Sequence, residues 1–259
     1  MGKRILGEKS SIEAALATRY ISAVLEEFDA KNLRIVIKSD IPPSSGLGSS
    51  AAVVVSAVAA LNWHMDLDMS QKDISTKSFK IEKQVQMGLG SPMDTAVATF
   101  GGYQLVSRAA EPISLPSFDL VVGCTDMPHD TRVEVDKVQR LREMYPDVVE
   151  PIFDAIGSIS RRALCSIRDL ELAELGRLMN INHGLLESIG VGTREINELV
   201  YAARGAGCAL GAKLTGAGGG GCIIAVPSEN NISKIVTAIS QARGRAFPVR
   251  TGSAGVRLE

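Results

Sequence analysis

The chain has 259 residues, with 28 Lys and Arg against 29 Asp and Glu and a formal net charge of −1. That length suits one large domain or two smaller ones with a buried core, and the near-cancelling charge offers no electrostatic footprint for nucleic acid or an anionic membrane. The four cysteines, Cys124, Cys165, Cys208 and Cys222, lie far apart with no Cys-x-x-Cys pair, which argues against a disulfide framework or structural zinc and makes a reducing cytoplasm the expected compartment.

In chain order, Ser10 and Glu13 have capping-box spacing, and apolar residues recur at helical intervals from Ile12 to Phe28, predicting a first helix over about 11–28. The β-branched run Leu33 to Lys38 predicts a strand, closed by Asp40 and the pair Pro42-Pro43. The apolar stretch from Ala51 to Leu61 is interrupted by Ser56 and falls short of the ~20 residues that cross a bilayer, so it reads as a buried helix. Ser70 and Asp73 open a helix reaching about Gln86, and Ser91-Pro92-Met93-Asp94 has the form of another helix start. Strands are expected at Gly102 to Val106 and Phe118 to Gly123. From Thr131 to Gly205 the pattern is almost wholly helical, broken at Pro146, Gly190 and Gly205. The remainder reads as a helix to Arg204, strand Ala209 to Leu214, glycine loop, strand Cys222 to Val226, helix Ile232 to Ala242 and strand Ala246 to Arg250, a split-βαβ, ferredoxin-like order. The domain boundary is placed near Met127, giving domains over 1–126 and 127–259.

Three segments carry chemistry. Pro43-Ser44-Ser45-Gly46-Leu47-Gly48-Ser49-Ser50 sets two glycines and four hydroxyls before a helix whose first turn has unpaired N–H groups, which suits a polyphosphate. Ser49 or Ser50 is placed to cap that helix or to ligate Mg²⁺. A second run, Thr215-Gly216-Ala217-Gly218-Gly219-Gly220-Gly221, satisfies Gly-x-Gly-x-x-Gly literally but leads into a strand, and Glu229 follows too soon for the ribose-binding acid. The dinucleotide fold is thereby excluded, and no Gly-x-x-x-x-Gly-Lys-Ser/Thr string makes the chain a Walker-type nucleotidase. Glu82 and Asp94 are two carboxylates flanking a glycine turn. Phosphoryl transfer needs one carboxylate for the acceptor hydroxyl and another for Mg²⁺, although Asp94 also serves an ordinary helix start and Glu82 an ordinary solvated helix face.

These segments resemble the GHMP kinases. Pro43 to Ala51 looks like their second, phosphate-binding motif, and Lys213-Leu214-Thr215 through Cys222 like their third. The stretch from Glu82 to Asp94, ending in Phe100-Gly101-Gly102, is similar to the one in which mevalonate kinases carry a Mg²⁺-binding glutamate and the aspartate facing the acceptor hydroxyl. Leu141 to Pro146 and Met179 to Leu186 look like the archaeal type, and the resemblance extends from about Tyr20 onward. It implies an α+β, two-lobed GHMP kinase fold, with an N-terminal lobe of the ribosomal protein S5 domain 2 type and a ferredoxin-like C-terminal lobe. It implies ATP and Mg²⁺ as cofactors, mevalonate as acceptor, and Asp94 as the catalytic residue. Phosphates would meet residues 43–50 and Gly216, Ala217, Gly218 and Gly219; Ser50 and Glu82 would hold the metal, and Thr131 would lie beside the acceptor. The same resemblance leaves room for another small alcohol, phosphomevalonate or homoserine, or for nucleotide binding without turnover.

Two departures stand out. The spacing from Glu82 to Asp94 is one residue longer than the family's, with Gly88-Leu89-Gly90 absorbing it. The first family motif, a strand with Pro-x-Lys followed by Gly-Glu-His, has no counterpart, Gly7-Glu8-Lys9 being an echo without the proline or histidine. The N-terminal domain is therefore expected to be truncated at its start and the chain as written to be a poor kinase. Without the family's opening strands the sheet containing Leu33 to Lys38 would expose apolar surface and unpaired backbone groups, inviting aggregation or homodimerisation through the edge.

Overall fold

The structure, a computed structural model, describes residues 11–42, 46–88, 91–106, 110–125, 127, 130–205, 207–228 and 231–258. The chain divides into two compact units. The first comprises Met1–Pro43, Gly48–Ser114 and Ser253–Glu259, and the second Ser44–Leu47 and Leu115–Gly252.

The first unit is built around a helix apolar on nearly every face. Helices α1 (Ser11–Glu27), α2 (Ser49–His64), α3 (Gln71–Val85) and α4 (Pro92–Phe100) precede a short antiparallel hairpin, β1 (Tyr103–Val106) and β2 (Ala110–Ile113). Val54, Val55, Val58 and Leu61 of α2 pack with Ile21 and Val24 of α1 and with Ile74 and Ile81 of α3. Each such side chain, taken from water to full burial, contributes about 1.5–3 kcal/mol before ordering costs. Ser70 accepts from the Asp73 N–H while Asp73 accepts from the Ser70 N–H, the capping box the sequence announces. The corresponding Ser10 and Glu13 pair lies outside the described side chains. β2 went unforeseen, because Pro112 in a four-residue strand gives no periodic signal.

The expected strand over Leu33 to Lys38 is corrected by the structure. The segment pairs with no strand among the described residues, and Val36 is 66% exposed. β-branched residues favour extended backbone, but a strand forms only where a neighbour receives its N–H and C=O groups.

The second unit runs β3 (Asp119–Cys124), α5 (Thr131–Met144), α6 (Pro146–Arg168), α7 (Leu172–Ser188), α8 (Arg194–Gly205), β4 (Ala209–Leu214), β5 (Cys222–Pro227), α9 (Ile232–Gln241) and β6 (Arg245–Arg250). Its antiparallel sheet has the order β4-β5-β3-β6, the ferredoxin-like arrangement. β3 pairs with both β5 and β6 at the sheet centre, so the strand read with the first domain belongs to the second unit, ahead of Met127. One sheet face, with Val121, Ala212, Leu214, Ile223 and Ala225, is covered by Ile196, Leu199 and Val200 of α8 and Ile235 and Ile239 of α9. The opposite face gathers Val122, Cys124, Cys222, Ile224, Phe247, Val249 and Leu47.

Cys124 and Cys222, directly opposite each other on β3 and β5, form a disulfide across 98 residues of sequence. This corrects the reading that distant cysteines argue against pairing: antiparallel neighbours bring together residues whose separation along the chain carries no information. Among the described residues no helix is long and apolar enough to cross a membrane.

The free edge of β4 is closed by α7. Asn180 Oδ1 accepts from the Ala212 N–H at 3.1 Å, and His183 Nδ1 from the Leu214 N–H at 3.4 Å. With Nδ1 accepting, the imidazole proton belongs on Nε2, which faces Asn197 Oδ1 at 3.1 Å. Burial holds the His183 pKa below its ordinary value and favours this neutral form. The strand that delivers the second glycine run is thus fixed along its outer edge.

Candidate active site

In the first unit the glycine-serine segment turns into α2 at Gly48, whose φ of 68° is left-handed. No side chain caps this helix. Ser49 and Ser50 are its first residues; of the two roles expected for them, capping the helix or ligating Mg²⁺, neither serves as its cap, and among the described residues no side chain accepts from their backbone N–H groups, which suits an anion. The Ser50 hydroxyl instead donates to Glu82 Oε1 on α3 at 2.6 Å.

Glu82 is only 2% exposed, and its Oε1 also accepts from Gln86 Nε2 at 3.1 Å, while its Oε2 is buried with no partner among the described residues. Burial raises its pKa; the Ser50 hydrogen bond works against this, and the negative charge of Asp94 adds to it. Asp94 stands in the first turn of α4, after the N-cap Ser91 and Pro92. Its carboxyl carbon would lie 3.7 Å from a methyl group placed on Gly48, so it faces the start of α2. Burial raises its pKa as well. Ser50, Glu82 and Asp94, separated by as many as 44 positions in sequence, are gathered at one uncapped helix N-terminus. Gln86, one turn beyond Glu82, is the contributor that sequence reasoning missed; only its i, i+4 spacing pointed to it.

A buried carboxylate oxygen without a donor, beside a serine hydroxyl already bonded to the same carboxylate, is a hard-oxygen donor set. It fits a divalent cation such as Mg²⁺.

In the second unit Gly46, with φ 71°, meets the other glycine run backbone to backbone: a methyl group on Gly216 would lie 2.9 Å from Gly46 Cα. The run itself is anchored where the Gly219 N–H donates to Val191 O at 2.9 Å. A methyl group on Gly218, at φ 80°, would fall 2.1 Å from that same oxygen. Among the described residues the N–H groups of Gly216, Ala217, Gly218, Gly220 and Gly221 have no acceptor. Below the far end, the Thr125 N–H donates to Gly221 O beside the Cys124–Cys222 bond.

Lys213, the residue before Leu214, is half-buried without a charged partner among the described residues, and burial pushes its pKa down to about 8. Thr131 is the exposed first residue of α5, after the Asp130 cap. Leu47 contributes its side chain to the apolar sheet face, leaving only its backbone for phosphate. Pro43, Ser44 and Ser45 lie outside the described residues.

Residues 15–102 match the GHMP kinases N terminal domain and residues 163–246 the GHMP kinases C terminal domain. The chain is 40% identical over 247 residues to the mevalonate kinase of Thermococcus gammatolerans, spanning 92% of this chain and 73% of that protein. It is 41% identical over 247 residues to that of Pyrococcus abyssi, spanning 92% and 72%. Among solved structures it resembles L. major mevalonate kinase in complex with R-mevalonate, with a TM-score of 0.80, 24% identity and coverage of 95% and 79%. It also resembles Methanococcus jannaschii mevalonate kinase, with a TM-score of 0.75, 23% identity and coverage of 92% and 75%.

Proposed function

The chain belongs to the GHMP kinase family, and we propose that it transfers the γ-phosphoryl group of ATP to the primary hydroxyl of mevalonate, giving 5-phosphomevalonate for isoprenoid precursor synthesis. The observation that carries this reading is the convergence of Ser50, Glu82 and Asp94 at the uncapped start of α2. One group there can accept a proton, two can hold a cation, and helix N–H groups can receive an anion.

Asp94 takes the proton of the primary hydroxyl as that oxygen attacks the γ-phosphorus. The bond to the bridging oxygen breaks and ADP leaves with the electron pair. The N–H groups of Ser49 and Ser50 at the start of α2 receive phosphate oxygens without reorganising at the moment of transfer. Glu82 and Ser50 would hold Mg²⁺, which supplies charge neutralisation at the phosphates. Thr131, at the exposed start of α5, is assigned to the acceptor. The reaction belongs to the cytoplasm, where ATP and the small acid are both available. Thr131→Val tests the acceptor assignment: the KM for mevalonate should rise with that for ATP unchanged, and an equal change in both would remove it.

A further inference from the structure

Phosphoryl transfer concentrates negative charge at the glycine run, and a cation of the second unit is held at that run. Glu134 lies one turn into α5 and is buried, 6% exposed, with its carboxylate pressed against Gly219; a methyl group on Gly219 would lie 2.6 Å from Glu134 Oε1. Oε1 is 2.7 Å from the Lys137 ammonium, and Oε2 is buried with no partner among the described residues. Adding a carbon–carbon bond to these two contacts puts the ammonium within about 7 Å of Gly219 Cα.

An ordinary i, i+3 ion pair keeps both partners in water and contributes little. Here the carboxylate has given up its hydration, which is unfavourable unless the charge is put to use. Lys137 remains more than half exposed and its stem is flexible, so it can approach a ligand on the loop. Beside it, five loop N–H groups lack acceptors among the described residues.

We propose that Lys137 is a phosphate ligand of the nucleotide, and that Glu134 is a positioning residue holding its ammonium at the Gly218–Gly221 backbone. The inference rests on the kinase reading above. It assigns to one α5 turn a cation at the nucleotide phosphates. Lys213, inserted between the buried Ala212 and Leu214 and without a carboxylate tether among the described residues, is less suited than Lys137.

The test compares the parent chain with Lys137→Met, Lys137→Arg, Glu134→Gln and the Glu134→Gln/Lys137→Met double variant. Equilibrium binding of a non-hydrolysable ATP analogue is measured by calorimetry, together with KM for each substrate and thermal stability. Lys137→Met should weaken the analogue roughly tenfold or more, the value of one charge-assisted contact. KM for mevalonate should stay within about twofold. Lys137→Arg should restore much of the binding, and the double variant should bind no worse than Lys137→Met, because Glu134 acts through Lys137. Analogue binding within twofold of the parent for Lys137→Met, at unchanged Tm, would overturn the proposal. So would a double variant whose losses simply add. If the parent binds the analogue but phosphorylates no acceptor, the kinase reading fails while the binding comparison still decides the role of Lys137.

Discussion

The Ser50 hydroxyl and the Glu82 carboxylate, 32 positions apart, meet at 2.6 Å where α2 begins. α2 opens without a side-chain cap because its N-cap is Gly48, while Ser50, inside the first turn, reaches a buried glutamate, and among the described residues the first N–H groups of the helix have no side-chain acceptor.

Asp94→Asn should preserve the fold, because Asp94 makes no hydrogen bond among the described residues and its burial disfavours the charge. Turnover should fall by about 10²–10⁴ with nucleotide affinity unchanged. Near-parental turnover would remove Asp94 from the chemistry.

Gly218→Ala places a methyl group 2.1 Å from Val191 O, so the loop must move. Nucleotide affinity should drop by an order of magnitude or more, about 1.4 kcal/mol or above. Gly207→Ala is the control: it shares a left-handed φ of 64° but meets nothing within 4 Å. It should cost about 1–2 kcal/mol of stability and leave affinity alone. Equal affinity losses in both would show that backbone strain, and not the loop, is responsible.

Lys213 has its folded pKa lowered from 10.5 to about 8 by burial. Below pH 8 it is charged in both states and the burial cost is fully present. Between pH 8 and 10.5 the folded state releases the proton while the unfolded state keeps it, so stability gains as pH rises. Lys213→Met should therefore be the more stable form at pH 7, by about 2 °C or more in Tm, with the difference shrinking toward pH 10. Parallel pH profiles for parent and variant would contradict this.

The Cys124–Cys222 pair closes 98 residues of chain. Peptide mapping without reductant should recover the two cysteines linked, with Cys165 and Cys208 free. Reduction should lower Tm on the order of 5–10 °C. Four alkylatable thiols in the unfolded, unreduced chain would contradict the pairing.

Much of this was legible in the sequence wherever local chemistry decides. Ser70 with Asp73, Ser91 with Pro92 and the glycine runs announce their conformations within a few residues, and α2 through α4 begin within two residues of expectation. Partners distant along the chain were not legible. Leu33 to Lys38 has strand composition but no neighbour, and Cys124 finds Cys222 only through strand pairing. Glu134 reads as a solvated helix residue until Gly219 is seen against it. Asp94 and Glu82 came from resemblance, and burial then explained what their spacing could not: both sit where a carboxylate's charge is disfavoured until a cation or proton answers it.

The most direct test is an initial-rate comparison of acceptors, in which the chain is supplied with Mg²⁺ and ATP and given mevalonate, phosphomevalonate or homoserine, with product followed by phosphorus NMR. The account predicts a phosphate ester on the primary hydroxyl of mevalonate, with kcat/KM at least tenfold above either alternative, a difference of about 1.4 kcal/mol in transition-state stabilisation. A higher kcat/KM for phosphomevalonate or homoserine, or nucleotide binding with no phosphorylated product from any of the three, would contradict it.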